Sequence, residues 1–243
     1  MQFVLSHLKK SYGVKQVLKD VDFVFEDSKI YGLLGRNGAG KTTLFNGINR
    51  DIAFDSGDFG LVRDGMPPVP LNTHSFEGMS PEDIGYVLST PQVPEFLTAR
   101  EFLKFFLEIN EDRIAVQRDI DEYFDEIRIK PEDRDRLLKD YSQGMKNKMQ
   151  MLVSIIANPA VLLLDEPLTS LDVVVAEEMK QLLRSMKQGK VTILSTHILD
   201  LAVDLCDEIV LLSDGRLHAV DQAELGDEDF KTKIIASLTE DEE

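Results

Sequence analysis

The sequence feature that most constrains the fold is a glycine-rich octapeptide that begins at Gly35 and ends at Thr42. It reads Gly-Arg-Asn-Gly-Ala-Gly-Lys-Thr and follows the short apolar run Ile30 to Leu34. Glycines let successive backbone N–H groups curl around phosphate oxygens, and the start of a following helix adds a favourable dipole. Lys41 is placed to reach the terminal phosphates, and the Thr42 hydroxyl is suited to bind Mg²⁺. The octapeptide therefore predicts a phosphate-binding loop between a buried strand and a helix.

Two adjacent acids, Asp165 and Glu166, follow a second apolar run at Val161 to Leu164. If this run is a strand, it delivers both acids to the carboxyl edge of a sheet, where ligands bind in open α/β folds. The first carboxylate can hold Mg²⁺, and the second can position and polarise a water that attacks a phosphate. Together with the glycine-rich loop, these acids predict metal-dependent hydrolysis of a bound nucleotide.

The arrangement of apolar residues predicts an α/β fold. Apolar strands, such as those near 3–8 and 21–25, alternate with helical patterns, which favours a largely parallel sheet. Asp214-Gly215 separates two apolar runs and predicts a hairpin. From about Glu101 to Leu138 the pattern is helical, and we expect a helical insertion there. Its first apolar stripe consists of Phe102, Phe105, Phe106 and Ile109.

The composition limits the partners and the cellular compartment. With 44 acidic against 27 basic residues, the 243-residue chain has a net charge of −17. This charge argues against nucleic acid as the main partner, because such proteins need a basic face. No apolar run approaches the roughly 18 residues that span a bilayer, and Met1 to Lys10 has no secretory segment, so we expect a cytoplasmic chain. Cys206 lies in an apolar stretch and is predicted to be a core residue.

These motifs resemble those of the nucleotide-binding subunits of ABC transporters, and the likeness covers essentially the whole chain. It implies an α/β P-loop NTPase core with a mainly parallel sheet, an antiparallel β-subdomain and an inserted helical subdomain at about 95–150. It implies a single domain over 1–243, which ends in an acidic tail at about 227–243. ATP and Mg²⁺ are the implied cofactors. The implied ATP-binding loop comprises Gly35, Arg36, Asn37, Gly38, Ala39, Gly40, Lys41, Thr42 and Thr43.

Three further residues match motifs of this family. Tyr12, which precedes the loop, matches the aromatic residue that stacks on adenine. Gln92, in Thr-Pro-Gln, matches the glutamine that contacts Mg²⁺ and the attacking water and senses the membrane partner. His197 matches the histidine that contacts the γ-phosphate. The resemblance therefore adds His197 and Gln92 to Glu166 as catalytic residues.

The segment from Tyr141 to Met145 stands where the family's signature sequence belongs. The usual form is Leu-Ser-Gly-Gly-Gln, so three of the five positions differ, but Ser142 and Gly144 are kept. The resemblance implies that Ser142, Gln143 and Gly144 close on the ATP held by the opposite subunit of a head-to-tail dimer. Ser142 can also cap a helix that starts near Met145. The Tyr-Ser-x-Gly-Met form is similar to subfamilies dominated by exporters.

Two other segments carry expectations. Ser170-Leu171-Asp172 resembles the loop through which two such subunits communicate, and Asp172 is equally suited to cap a helix. The Pro-rich stretch at about 63–80 lengthens the chain between the glycine-rich loop and Gln92. Met66 to Pro70, within it, predicts an exposed loop.

Three functions remain open. The favoured one is the ATP-hydrolysing subunit of an ABC transporter, working in the export direction. It would form a dimer with a second nucleotide-binding subunit, either an identical copy or a paralogue, on an integral membrane permease at the inner face of the cell membrane. The second is a soluble ABC ATPase of a non-transport complex, such as one for cofactor assembly. The third is a module that binds ATP without hydrolysing it, which the presence of Glu166 and His197 disfavours.

Overall fold

The computed structural model of the protein describes residues 1–63, 79–114, 118–169 and 171–220. The chain forms two compact units. The first contains Met1–Tyr86, Ala160–Glu166 and the chain from Lys187 onward, and the second contains Val87–Pro159 and Pro167–Met186. That the whole chain is one domain stays a prediction. The predicted acidic tail at 227–243 and the predicted loop from Met66 to Pro70 lie outside the described residues.

The strands of the described residues form two sheets. In chain order they are β1 Gln2–Tyr12, β2 Lys15–Glu26, β3 Lys29–Leu34, β4 Ser56–Val62, β5 Ile84–Val87, β6 Val161–Asp165, β7 Val191–Thr196, β8 Glu208–Ser213 and β9 Arg216–Val220. One sheet has the order β2-β1-β4, and both of its pairings are antiparallel. The other has the order β5-β6-β7-β3-β8-β9. The strands predicted near 3–8 and 21–25 are confirmed as parts of β1 and β2.

The six-stranded sheet is mainly parallel. β3 pairs in parallel with β7 and with β8, and β6 pairs in parallel with β7, whereas β9 runs antiparallel to β8. In the β8–β9 turn, Asp214 and Gly215 have φ of 49° and 69°, the positive values that a tight hairpin turn requires. These pairings confirm the predicted hairpin and the predicted mainly parallel sheet.

The first unit is built around the central strands β3, β6 and β7. Apart from Lys29, the side chains of these strands are buried on both faces of the sheet. Their sequences therefore lack the alternation of apolar and polar residues that is typical of half-exposed strands. Large side chains of both sheets share the core of this unit, among them Phe3 and Phe25 of the three-stranded sheet and Tyr31 of the six-stranded sheet. Cys206 is 8% exposed, and burial raises the pKa of its thiol to about 12, which confirms it as a core residue.

The parallel strands bring the predicted site residues to one edge of the sheet. In the register of the strands, Leu34 lies opposite Thr196, and Asp165 lies opposite Ser195. Because carboxyl ends of parallel strands lie at the same edge, the loop after β3, the acid after β6 and the residue after β7 are neighbours. The sheet therefore positions the site before any side-chain contact is considered.

The helices of the described residues begin with α1 in the first unit. In chain order they are α1 Lys41–Ile48, α2 Ala99–Ile109, α3 Ile120–Glu126, α4 Pro131–Arg134, α5 Gln143–Ile156, α6 Val173–Met186 and α7 Leu199–Leu205. The helical pattern expected from Glu101 to Leu138 is thus divided into three helices with short 3₁₀ turns at Glu111–Arg113 and Leu138–Asp140.

The apolar stripe predicted on α2 is only partly buried in the second unit. The buried residues of α2 are Ala99 and Leu103, whereas Phe105 and Ile109 are 55% and 63% exposed. A helical pattern identifies an apolar face but not what covers it. Phe102 and Phe106 are half-buried, so the stripe is a partly exposed apolar surface of the second unit.

Candidate active site

The glycine-rich loop lies between β3 and α1, as its sequence predicts. Gly38 and Gly40 have φ of 82° and 109°, which side-chain-bearing residues rarely adopt. A Cβ on Gly40 would lie 2.8 Å from Cγ1 of Val17, so that position also lacks space for a side chain. The Ala39 N–H donates to the carbonyl of Arg36 at 3.2 Å and closes a turn. The backbone of the loop therefore depends on glycine at two positions.

Lys41 is the buried cation of this loop. It is 6% exposed, and its Nζ donates to the carbonyl oxygens of Gly35 at 2.5 Å and Arg36 at 3.2 Å. The same atom lies 3.7 Å from Oε1 of Glu166. Burial lowers the pKa of Lys41, and the neighbouring carboxylates of Glu166 and Asp165 oppose that effect. The ammonium is thus positioned by the loop and faces the acids that follow β6.

Asp165 accepts hydrogen bonds at both carboxylate oxygens. The Thr42 hydroxyl donates to Oδ2 at 3.0 Å, and the Ser195 hydroxyl donates to Oδ1 at 2.6 Å. Asp165 is 5% exposed and Ser195 is fully buried, so the bond between them forms in a largely dry setting, whereas Thr42 is exposed. The hydroxyl of Thr42 and the carboxylate of Asp165 are oxygen ligands of the kind that Mg²⁺ prefers. Their proximity fits the metal-ligand roles that the sequence suggests.

Glu166 follows Asp165 with a left-handed backbone, at φ 48°. Its N–H donates to the Ser195 carbonyl at 3.2 Å and to the Ser195 hydroxyl at 3.1 Å. Its side chain is close to His197, with Oε1 lying 2.9 Å from Nδ1 of the imidazole. Through Ser195, the structure therefore brings together five predicted residues in one contact network: Lys41, Thr42, Asp165, Glu166 and His197.

Sequence reasoning missed Ser195. A hydroxyl residue in an apolar strand, two positions before His197, was the available signal. On its own this signal is weak, because serine occurs in many buried strands. Only the register of β6 and β7 places it opposite Asp165.

Other predicted loop residues lie around this network. Arg36 and Thr43 are half-buried, and Asn37 is exposed at the tip of the loop. Tyr12 lies at the end of β1 and is 51% exposed, with the Lys10 ammonium 5.4 Å from its ring centroid. An exposed ring at a strand end is available to stack on a planar ligand.

The remaining predicted residues belong to the second unit. The Ser142 hydroxyl accepts from the Met145 N–H at 3.3 Å and caps α5, which begins at Gln143. Asp172 accepts from the Val175 N–H at 3.0 Å at the start of α6. Both predicted caps are confirmed. Gln92 is exposed in a loop, where its N–H donates to Oε1 of Gln150 at 3.0 Å.

The helices α5 and α6 are held together within this unit. Lys148 of α5 is 8% exposed and lies 2.6 Å from Glu178 of α6. A Cβ on Gly144 would lie 3.3 Å from Cγ1 of Val175, so glycine permits a close approach there. The exposed Ser142 and Gln143 are thus carried by a helix with a fixed neighbour.

Comparison with known proteins agrees with these motifs. The sequence profile described as ABC transporter matches residues 18–169. The chain is 32% identical over 214 residues to an uncharacterized ABC transporter ATP-binding protein of Methanocaldococcus jannaschii. This alignment covers 87% of this chain and 74% of that protein. It is 29% identical over 230 residues to the lipopolysaccharide export system ATP-binding protein LptB of Haemophilus influenzae, with 93% of each covered.

Solved structures show the same fold. The ATP-binding subunit of an ABC transporter superposes with a TM-score of 0.76 at 24% identity, covering 99% of this chain and 100% of that one. The cbiO1 protein of Clostridium perfringens, described as part of the ABC transporter complex cbiONQ, superposes with a TM-score of 0.72 at 23% identity, covering 96% and 94%. These likenesses confirm the expected α/β fold.

Over the described ranges, none of the helices combines the length and apolar character needed to cross a bilayer. The profile match covers more than half of the chain, and the relatives of the chain named above are ATP-binding proteins of transporters. The chain therefore belongs to the ABC transporter family and is one of its ATP-binding, ATP-hydrolysing subunits.

Proposed function

We propose that ATP hydrolysis by this chain takes place with Mg²⁺ at the carboxyl edge of its parallel sheet, where Glu166 activates the attacking water. The observation that carries this proposal is the contact network that joins Lys41, Asp165 and His197 through Glu166 and Ser195, with Thr42 bound to Asp165. Each group in the network matches a requirement of phosphoryl transfer, namely a cation for the phosphates, oxygen ligands for the metal and a base for water.

Thr42 and Asp165 would hold Mg²⁺, and Gln92 is proposed as a further contact. The metal would supply positive charge to the β- and γ-phosphates. Lys41, held by two loop carbonyls, faces the same region and would bind the terminal phosphates. Tyr12 would stack on adenine with its exposed ring.

Glu166 would act on the attacking water, and His197 would contact the γ-phosphate. Oε1 of Glu166 lies 2.9 Å from the imidazole, so the orientation of the carboxylate depends on His197. A carboxylate within hydrogen-bonding reach of water can accept its proton as the oxygen attacks. His197, which is 39% exposed, would present its other ring nitrogen to the γ-phosphate.

The signature residues would act on the ATP of a second subunit. Ser142 and Gln143 are exposed at the start of α5, where free N–H groups and the helix dipole favour an anion. Beside the Asp172 cap, Val173 and Val174 are 85% and 68% exposed. Apolar side chains with this exposure are suited to a subunit interface. These features support a head-to-tail dimer with an identical copy or a paralogue.

The dimer would drive an integral membrane permease from the inner face of the cell membrane, in the export direction. The relatives named for lipopolysaccharide export and the Tyr-Ser-x-Gly-Met form support export. The exposed apolar stripe of α2, with Phe105 and Ile109, is a surface that a permease could cover. Nucleic acid is not a partner in this proposal, in line with the charge of −17.

Catalysis by Glu166 is tested by the variant Glu166→Gln. We expect phosphate release to fall at least about 100-fold, because the general base is lost, while ATP still binds. A matched control is Glu177→Gln, which removes a carboxylate that is half exposed on α6 and should leave turnover unchanged. Undiminished hydrolysis by Glu166→Gln would remove the assigned base.

Coupling to a permease is tested by purification from the host membrane. A membrane protein with several apolar spans should co-purify with the wild-type chain and stimulate its ATP turnover. Export is supported if ATP-driven flux in inverted vesicles runs into the lumen. A permease-free soluble complex would instead favour the non-transport ATPase.

A further inference from the structure

Ser195 is a buried hydroxyl that contacts both acids of the proposed active site. It lies on β7, is fully buried, and its Oγ donates to Oδ1 of Asp165 at 2.6 Å. The same oxygen accepts the Glu166 N–H at 3.1 Å. One hydroxyl thus donates to the predicted metal ligand and accepts from the residue predicted to activate water.

The bond to Asp165 fixes the orientation of that carboxylate. A serine hydroxyl has a single donor, and here it is directed to Oδ1, while the Thr42 hydroxyl donates to Oδ2. With each oxygen held by a different donor, rotation about the bond that carries the carboxylate would break both contacts. Oδ2 is therefore kept on the side of Thr42, where the proposed metal ligands converge.

The bond from Glu166 supports an uncommon backbone conformation. At φ 48°, Glu166 adopts a region that residues other than glycine, asparagine and aspartate seldom occupy. Its N–H has two acceptors, the carbonyl and the hydroxyl of Ser195. With this backbone conformation, Oε1 of the Glu166 side chain lies 2.9 Å from Nδ1 of His197.

From these contacts we infer that Ser195 is a positioning residue for ATP hydrolysis, which orients Asp165 toward the metal and Glu166 toward the attacked phosphate. The inference rests on the proposed function, since it assumes that Asp165 holds Mg²⁺. Ser195 would act through these two acids, which its hydroxyl contacts directly. Groups of this kind, which orient metal ligands, commonly affect metal affinity as strongly as some ligands do.

The test measures how far Mg²⁺ tightens ATP binding by the full chain. A fluorescent ATP analogue is titrated into wild type and Ser195→Ala, with Mg²⁺ and with EDTA. The gain in ATP affinity that Mg²⁺ produces should be about tenfold smaller in Ser195→Ala than in wild type. Affinity in EDTA should stay within about twofold of wild type, because Lys41 and the loop are untouched. Turnover at saturating ATP should fall by about tenfold or more.

Two variants control for the loss of a buried hydroxyl as such. Ser195→Thr keeps the hydroxyl and should restore most of the Mg²⁺ dependence. Thr192→Val removes a hydroxyl from the same strand at a residue that is 2% exposed, and it should leave the Mg²⁺ dependence unchanged. If Ser195→Ala does not fold, Ser195→Cys provides the same test, because a thiol of similar size is a weak donor.

Wild-type Mg²⁺ dependence in Ser195→Ala or Ser195→Cys would overturn the inference. An equal loss in Thr192→Val would do so as well, because the effect would then be one of general destabilisation. The outcomes separate the two proposals. If Glu166→Gln is inactive while Ser195→Ala matches wild type, only the role of Ser195 fails, whereas full activity of Glu166→Gln refutes the role of Glu166 in the proposed function.

Discussion

At the scale of single residues, the phosphate loop depends on glycine for two separable reasons. Gly38 requires a positive φ, but no atom lies within 4 Å of the position of an added Cβ. Gly40 requires a positive φ and is also crowded, with Val17 at 2.8 Å and Leu18 at 3.2 Å from an added Cβ. The first requirement is local to the chain, and the second comes from the packing of β2 against the loop.

This difference predicts unequal effects of alanine at the two glycines. Gly38→Ala should cost about 1–2 kcal/mol, the cost of a left-handed conformation for a residue with a Cβ. Gly40→Ala should cost about 1–3 kcal/mol more, because Val17 must also move. The free energy of unfolding from urea denaturation checks both values. Equal destabilisation by the two variants would contradict the role of Val17.

At the scale of elements, helix caps set where the helices of the second unit begin. α2 starts after Thr98, whose hydroxyl accepts the Glu101 N–H at 3.1 Å, while Oε2 of Glu101 accepts the Thr98 N–H at 2.8 Å. This reciprocal pair satisfies two N–H groups that the helix itself leaves without partners. α5 and α6 each begin with a single side-chain cap, from Ser142 and Asp172.

Removing the cap of α2 should therefore destabilise the protein. We expect Thr98→Ala to lower the free energy of unfolding by about 1 kcal/mol, because the Glu101 N–H loses its acceptor. Thr98→Ser keeps the hydroxyl and serves as the matched control. Urea denaturation measures both variants. If Thr98→Ser is destabilised as much as Thr98→Ala, the hydroxyl is not what caps the helix.

At the scale of the whole molecule, the net charge of −17 comes from many carboxylates, and ion pairs and hydrogen bonds stabilise several of them. Arg100 donates to Asp121 and lowers the pKa of that carboxyl, and Lys19 does the same for Asp214. The carboxyl groups with a lowered pKa include Asp20, Asp27, Glu101, Asp121, Glu178 and Asp214. A lowered pKa means that the folded state favours the ionised form.

These shifts predict that acid destabilises the fold. When the folded pKa lies below the unfolded one, the stabilisation is complete above the unfolded value, 3.8 for Asp or 4.5 for Glu, and is lost as the pH falls through the folded value. The midpoint of thermal unfolding should therefore fall as the pH drops below about 4.5. Asp121→Asn, which cannot titrate, should show a smaller fall from a lower starting midpoint. A constant midpoint down to about pH 3 would contradict this account.

The sequence predicted more of the site than of its surroundings. Five predicted residues meet in the structure: Lys41, Thr42, Asp165, Glu166 and His197. They could be predicted because each lies in or directly after a segment whose local sequence pattern is recognisable. The direction of the α2 stripe was not predictable, because amphipathic spacing identifies an apolar face without its partner. Ser195 was missed for a related reason, since its partners lie about thirty residues earlier in the chain.

What the sequence determined by itself is local: the glycine-rich turn, the helix that follows it, the hairpin at Asp214-Gly215 and the caps at Ser142 and Asp172. Backbone φ preferences and hydrogen bonds over three or four residues suffice for these features. Only the tertiary structure decided that β6 lies beside β7 with Asp165 opposite Ser195. That register follows from burying both faces of the central strands, and burial is a property of the packed molecule as a whole.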